Sequence, residues 1–138
     1  NTGVSFAVSS NIVRRALERY RATGTIDYAW LGLNTRTLSP QLAEAGGVRG
    51  VDAGAVIQTS QGPAAQAGLS SGGQLQFLGE AVRIGDVIVE VAGTPVQSAD
   101  DLARIEGRLD PGATVEITYV RAGSRQRASL VAATRALV

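Results

Sequence analysis

The sequence predicts an α+β domain of five to six short strands and two helices, with a further helix ahead of them. Three observations lead there. Apolar residues alternate with period two at Leu31 and Leu33 and again at Val115, Ile117 and Tyr119, as half-buried strands require. Two stretches open on a serine that can cap a helix, Ser39-Pro40 and Ser98-Ala99. Glycine, 17 of the 138 residues, punctuates the intervals between these segments. At 44% hydrophobic the chain can bury one compact domain plus a short extra element, and with 6 aromatic residues its core must be built from Val, Ile, Leu and Ala.

In chain order, Val4, Phe6 and Val8 alternate with small residues and suggest a short strand. Ser9-Ser10-Asn11 offers an N-cap for a helix over residues 12–22, with Ile12, Val13, Ala16, Leu17 and Tyr20 on its apolar stripe and arginines elsewhere. A strand runs from Trp30 to Arg36. Pro40 begins a short helix that Gly46-Gly47 stops. Gly54 to Thr59 is the next strand. Gly85-Asp86 starts the strand Val87 to Val91 sharply, and Ala92-Gly93 turns it back. Ser98 caps the last helix, whose Leu102, Ile105 and Leu109 face the core, and Pro111-Gly112 closes it. Strands at 114–121 and 125–132 follow, joined at Ala122-Gly123.

The chemistry centres on Tyr28 to Arg36. Gly32 stands where the strand begins, and a glycine there leaves several backbone N–H groups free to converge on an anion. Leu31, Leu33 and Thr35 would form an apolar floor beneath. Such a seat captures the free C-terminus of another chain. An ordinary core strand with a glycine at a bulge reads the same residues without any ligand. The capture reading demands that Gly32→Val abolish peptide binding while leaving the fold largely intact.

Trp30-Leu31-Gly32-Leu33 resembles the carboxylate-binding loop of the PDZ domains that follow the protease domain in HtrA/Deg-type bacterial serine proteases. Gly62-Pro63-Ala64-Ala65-Gln66-Ala67-Gly68-Leu69 resembles their Ser-Pro-Ala-Ala turn, with Gly in place of the usual Ser, and Gly85-Asp86-Val87-Ile88 their Gly-Asp strand. The blocks occur in the order of the circularly permuted bacterial PDZ topology, a partly open barrel or sandwich. Gly3 to Asn11 is similar to the end of the trypsin-like domain in those proteases. The resemblance therefore implies the tail and linker helix of a protease domain at 1–24 and a PDZ domain at 25–138. Residues 70–82 depart from the pattern and read as a surface hairpin or loop inserted at a tolerant site. The resemblance implies carboxylate capture by Trp30, Leu31, Gly32 and Leu33, and a peptide groove lined by Asn34, Thr35, Ala99, Ala103 and Glu106.

Composition limits the rest. Neither His nor Cys is present, so a Ser-His-Asp triad, a thiol nucleophile and a histidine-containing zinc site cannot be assembled. No catalytic residue, metal or cofactor is expected in this chain. The 13 basic residues, all Arg, balance 12 acids, which gives no reason to expect nucleic acid. The absence of Met and the start at Asn1 read as a fragment or processed product. By resemblance the partners are C-terminal or unfolded-protein peptides, an upstream protease domain and further copies of the full-length protein. The resemblance also implies an extracytoplasmic place in a bacterium, periplasmic or membrane-anchored facing outward. A PDZ scaffold of a secretion-system component or membrane-embedded protease is the alternative.

Overall fold

The computed structural model describes residues 27–136 together with Arg14, Leu17, Glu18 and Arg21. Those four are helical and exposed. Leu17, which its spacing puts on the apolar stripe, is 47% exposed. The strand expected at Gly3 to Val8 lies outside the described residues, as does the rest of the 1–24 segment.

Ten strands and three helices follow. They are β1 (Asp27–Trp30), β2 (Leu33–Thr37), α1 (Pro40–Gly46), β3 (Ala55–Ser60), α2 (Gly62–Gln66), β4 (Gly73–Phe77) and β5 (Glu80–Ile84). After them come β6 (Val87–Val91), β7 (Thr94–Pro95), α3 (Ala99–Arg108), β8 (Thr114–Arg121), β9 (Ser124–Val131) and β10 (Ala133–Ala136). The principal sheet is antiparallel in the order β2-β3-β6-β8-β9, with β7 added to β6; β1-β10 and β4-β5 are two-stranded ribbons.

The sheet's central strands are buried on both faces. Val56 and Ile57 are neighbours on β3, and Val87 and Ile88 are neighbours on β6, yet none is more than 2% exposed. Because successive side chains point to opposite faces, such a pair needs a core on each side. Ile57 and Ile88 join Leu31, Val91, Leu102, Ile105 and Ile117 under α3. Val56 and Val87 join Leu38, Leu42 and Val82, with Leu75, Phe77 and Ile84 packed around them.

That second core corrects the reading of residues 70–82. Gly73 to Ile84 form a hairpin, β4-β5, but Leu75, Phe77, Val82 and Ile84 cover one face of the sheet. Gln58 on β3 fixes it in place like an extra rung, donating from Nε2 to the Arg83 carbonyl at 2.7 Å and accepting from the Arg83 amide at 3.0 Å. The Arg36 guanidinium lies 5.8 Å over the Phe77 ring. At the tip the large apolar side chain of Leu78 stays bare, 85% exposed.

The helix signals act as the sequence predicts. Ser39 Oγ accepts from the Leu42 amide at 3.1 Å with Pro40 in the first turn, and Gly47 ends α1 with φ +67. Ser98 Oγ accepts from Asp101 N at 3.1 Å, and Asp100 and Asp101 favour the positive end of α3. Leu102 and Ile105 are buried and Leu109 partly so, as predicted. The segment Gly62–Gln66, read as a turn, is one short helix after extended Gln61.

The stretch from Trp30 to Arg36 is not one strand. The chain leaves the β1-β10 ribbon at Trp30 and enters the principal sheet at Leu33, so Leu31 and Gly32 are the crossing. An alternating pattern cannot reveal this, since it is the same whichever sheet the strand joins.

Candidate functional site

Gly32 makes the crossing with φ +85, and a β-carbon there would lie 1.9 Å from the Gln61 carbonyl oxygen. The loop is locked against α2: Gln61 N donates to the Gly32 carbonyl at 2.8 Å, and Ala64 N to the Leu31 carbonyl at 3.0 Å. Both bonds hold the loop to the junction of β3 and α2. Gly32→Val would therefore strain the backbone and collide with Gln61, so it cannot be neutral to the fold as expected.

With the Gly32 carbonyl facing β3, the alternation of an antiparallel ladder turns the main-chain groups of Leu33 the other way. That other side is an edge, because β2 ends the sheet. Along this edge lies α3, which packs on β1, β2 and β3. The helix is joined to the edge at both ends. Thr37 Oγ1 accepts from the Ala99 amide at 3.0 Å. At the other end Glu106 Oε2 accepts from the Leu31 amide at 2.9 Å.

The residues assigned to the site divide into four groups. Leu31 contributes its amide, but its side chain is fully buried in the core and is not a pocket floor. Burying it is worth about 2 kcal/mol, which anchors the loop. Leu33 and Thr35 are half-buried and Asn34 is exposed on β2. Leu33 also packs on the core under α3. On α3, Ala99 and Glu106 are half-buried and Ala103 is exposed. Trp30 stands apart: it ends β1, its ring meets Gly62 on one side and carries the Arg135 guanidinium at 3.7 Å from its centroid. It braces the loop from behind.

Glu106 is the chemically informative group. Burial raises its carboxyl above the ordinary value of 4.5, and the Leu31 amide acts in the opposite direction. The loop amide thus holds a carboxylate.

A second polar centre escaped the sequence reading. Asp86, 3% exposed, accepts from Arg121 Nε at 2.8 Å, from the far nitrogen of the same guanidinium at 2.7 Å, and from the Ser70 amide at 2.9 Å. The fork also donates to the Gly68 carbonyl at 2.7 Å, and the bond to Asp86 pushes the guanidinium's pKa up. A cleft of about 510 Å³ adjoins this centre, lined by Gly47, Arg49, Gly72, Asp86, Arg121 and Gly123 among others. Asp86 has its acceptors filled, so this is a brace between β6, β8 and the 68–70 turn. The signal for it was the acid after Gly85 and the lone Arg ending β8. Among the described residues no three His, Cys, Asp or Glu side chains group to hold a metal.

The chain is 28% identical over 131 residues to a probable periplasmic serine endoprotease, DegP-like, from Rhizobium meliloti, covering 94% of this chain and 23% of the relative. It is 31% identical over 126 residues to a protein of the same description from Ectopseudomonas mendocina, covering 91% and 24%. The chain therefore spans about a quarter of the length of the curated relatives it matches. The fold is shared with an HtrA-type protease AlgW solved with a decapeptide, at a TM-score of 0.69 and 23% identity over 93% of this chain and 36% of that one. It is shared also with the HtrA3 PDZ domain bound to a phage-derived ligand, FGRWV, at 0.58 and 19% over 80% and 89%. The profile of the PDZ domain matches residues 29–131, from the buried Ala29 of β1 to the end of β9, and to the PDZ domain family this chain belongs.

Proposed function

We propose that this domain binds peptides by their free C-terminal ends, taking them as an added strand between β2 and α3, and that it serves an HtrA-type serine endopeptidase. The observation that carries the reading is the Leu31 amide. It points out of the loop toward α3 and is bonded to a carboxylate, which is the group a peptide terminus would bring. The unpaired edge of β2 supports the rest, since it offers main-chain donors and acceptors to an incoming strand. Leu33 and Thr35 on the strand, with Ala99 and Ala103 on the helix, would flank the last side chains.

The role is binding. Without His or Cys the chain has no means to make the usual nucleophile–base pair, so proteolysis would belong to another part of the protein. The DegP-like relatives support a periplasmic setting and a protease parent that this domain feeds or regulates. Residues 1–24 would then link the two. That β2, which follows the loop, is the first strand of the principal sheet in chain order supports the permuted form of the PDZ topology.

The test is a calorimetric titration with a peptide ending in an apolar residue as its free acid, beside the same peptide amidated at its C-terminus. Saturable binding of the acid, weakened tenfold or more by amidation, is the expected outcome. Equal binding of both, or of neither, would sink the reading.

A further inference from the structure

We propose that Glu106 is the resident occupant of the carboxylate seat, so that a ligand's terminal carboxylate binds only by displacing it. This rests on the peptide-binding reading above and adds an internal competitor to it. Ala99, Ala103 and Glu106 are spaced three and four apart, which puts them on one flank of α3, beside the Leu102–Ile105 stripe that goes to the core. Of the three, the two alanines are too short to cross to the strand. Glu106 crosses, and it does so at the loop end of β2, from 75 residues away in sequence, to accept from Leu31 N at 2.9 Å. At the far end Thr37 and Ala99 close the same flank with their own hydrogen bond. Helix and strand are thereby latched at both ends of the track a peptide would use.

One amide cannot serve two carboxylates, and two such charges within a few ångströms repel each other. A free-acid peptide must therefore turn Glu106 out of the loop before it can be seated. Glu106 is half-buried, so part of it already meets water. Its cost in place is visible in the electrostatics, because burial works against its charge and the single amide only partly offsets that. Asp86 shows what a permanently lodged carboxylate looks like in this molecule, gripped by an Arg fork as well as an amide. Glu106 is held by a contact that a ligand can copy. The domain thus binds free C-termini more weakly than its seat allows, and selects for ends able to outcompete its own acid.

The experiment crosses three proteins, wild type, Glu106→Gln and Glu106→Ala, with two peptides, the free acid and its C-terminal amide. The free acid is expected to bind Glu106→Ala about tenfold tighter than wild type or more, with Glu106→Gln between, while the amide is unchanged. Equal affinity of all three proteins for the free acid overturns the proposal and leaves the peptide-binding reading standing. Equal tightening of both peptides also overturns it, since that would be relief of bulk rather than of charge. Failure of both peptides to bind any of the three proteins removes both readings. A measurement on wild type needs no variant: during titration with the free acid, the Leu31 amide and the Glu106 side-chain carboxyl resonances should move together. A Leu31 signal that shifts while Glu106 stays put refutes displacement.

Discussion

Two carboxylates in this domain make the same bond to a loop, and they do opposite things with it. Asp86 accepts from Ser70 N and Glu106 from Leu31 N, each at 2.9 Å. Around Asp86 the molecule has closed: the side chain is 4% exposed, and Arg121 holds both of its oxygens. Around Glu106 the balance is set by burial and one amide. The lesson is that a carboxylate–amide contact is structural when its charge is neutralised in place and exchangeable when it is not.

The contrast breaks first under truncation. Asp86→Ala leaves the Ser70 amide and part of the Arg121 fork without acceptors, and should cost about 3 kcal/mol in urea unfolding. Glu106→Ala should cost about 1 kcal/mol or less by the same measurement. Comparable losses would place both acids in the framework and undo the distinction.

Gly32→Ala tests the platform on which the exchangeable bond sits. Positive φ costs an L-residue about 1–2 kcal/mol, and the overlap with the Gln61 carbonyl adds to that. Thermal unfolding should show a loss of at least about 2 kcal/mol, with peptide binding lost alongside. An alanine tolerated at that position would mean that the crossing between the two sheets can shift to admit a β-carbon.

Proton linkage sharpens the difference. The Glu106 carboxyl is raised from 4.5, chiefly by burial, with the Leu31 amide opposing. An acid whose pKa is higher in the folded state contributes stability that is complete below its unfolded value and is lost as the pH rises through the folded one. The stability of wild type relative to Glu106→Gln should therefore decline as the pH is raised from about 4, then level off once Glu106 has ionised. Parallel urea titrations across that range read the difference directly, and every other group cancels. A flat difference would mean that burial does not act on this carboxyl.

How much of this could be read in advance depended on how far apart the partners lie. Gly32, Ser39-Pro40, Gly47 and Ser98 act through neighbours within a few residues, and all of them stand where local chemistry puts them. The passage of the chain between two sheets at Leu31-Gly32 was hidden, because β1 depends on pairing with β10, over a hundred residues on. Arg121 reaches Asp86 across 35 residues and Glu106 reaches Leu31 across 75, and no spacing rule joins them. The role of the 73–84 hairpin was legible and was missed. Val56-Ile57 and Val87-Ile88 are consecutive apolar residues in strands, and that pattern already asks for cover on both faces.

The smallest effect lies at the turn that delivers Arg121. Leu78-Gly79, Ala92-Gly93 and Ala122-Gly123 are two-residue hairpin turns whose first member, not a glycine, sits at φ near +50. Both central residues of such a turn need positive φ, and Asn accepts that conformation with less strain than Ala. Ala122 is exposed and borders the cleft beside Arg121. Ala122→Asn should therefore raise stability by about 0.5–1 kcal/mol, measured by urea unfolding. Because the turn supports the Asp86 brace and lies away from Leu31, the free-acid peptide should bind this variant with unchanged affinity. A gain in stability accompanied by a change in binding would show that the fixed carboxylate and the exchangeable one are coupled through β8 and the sheet, and the two centres would then have to be treated as one.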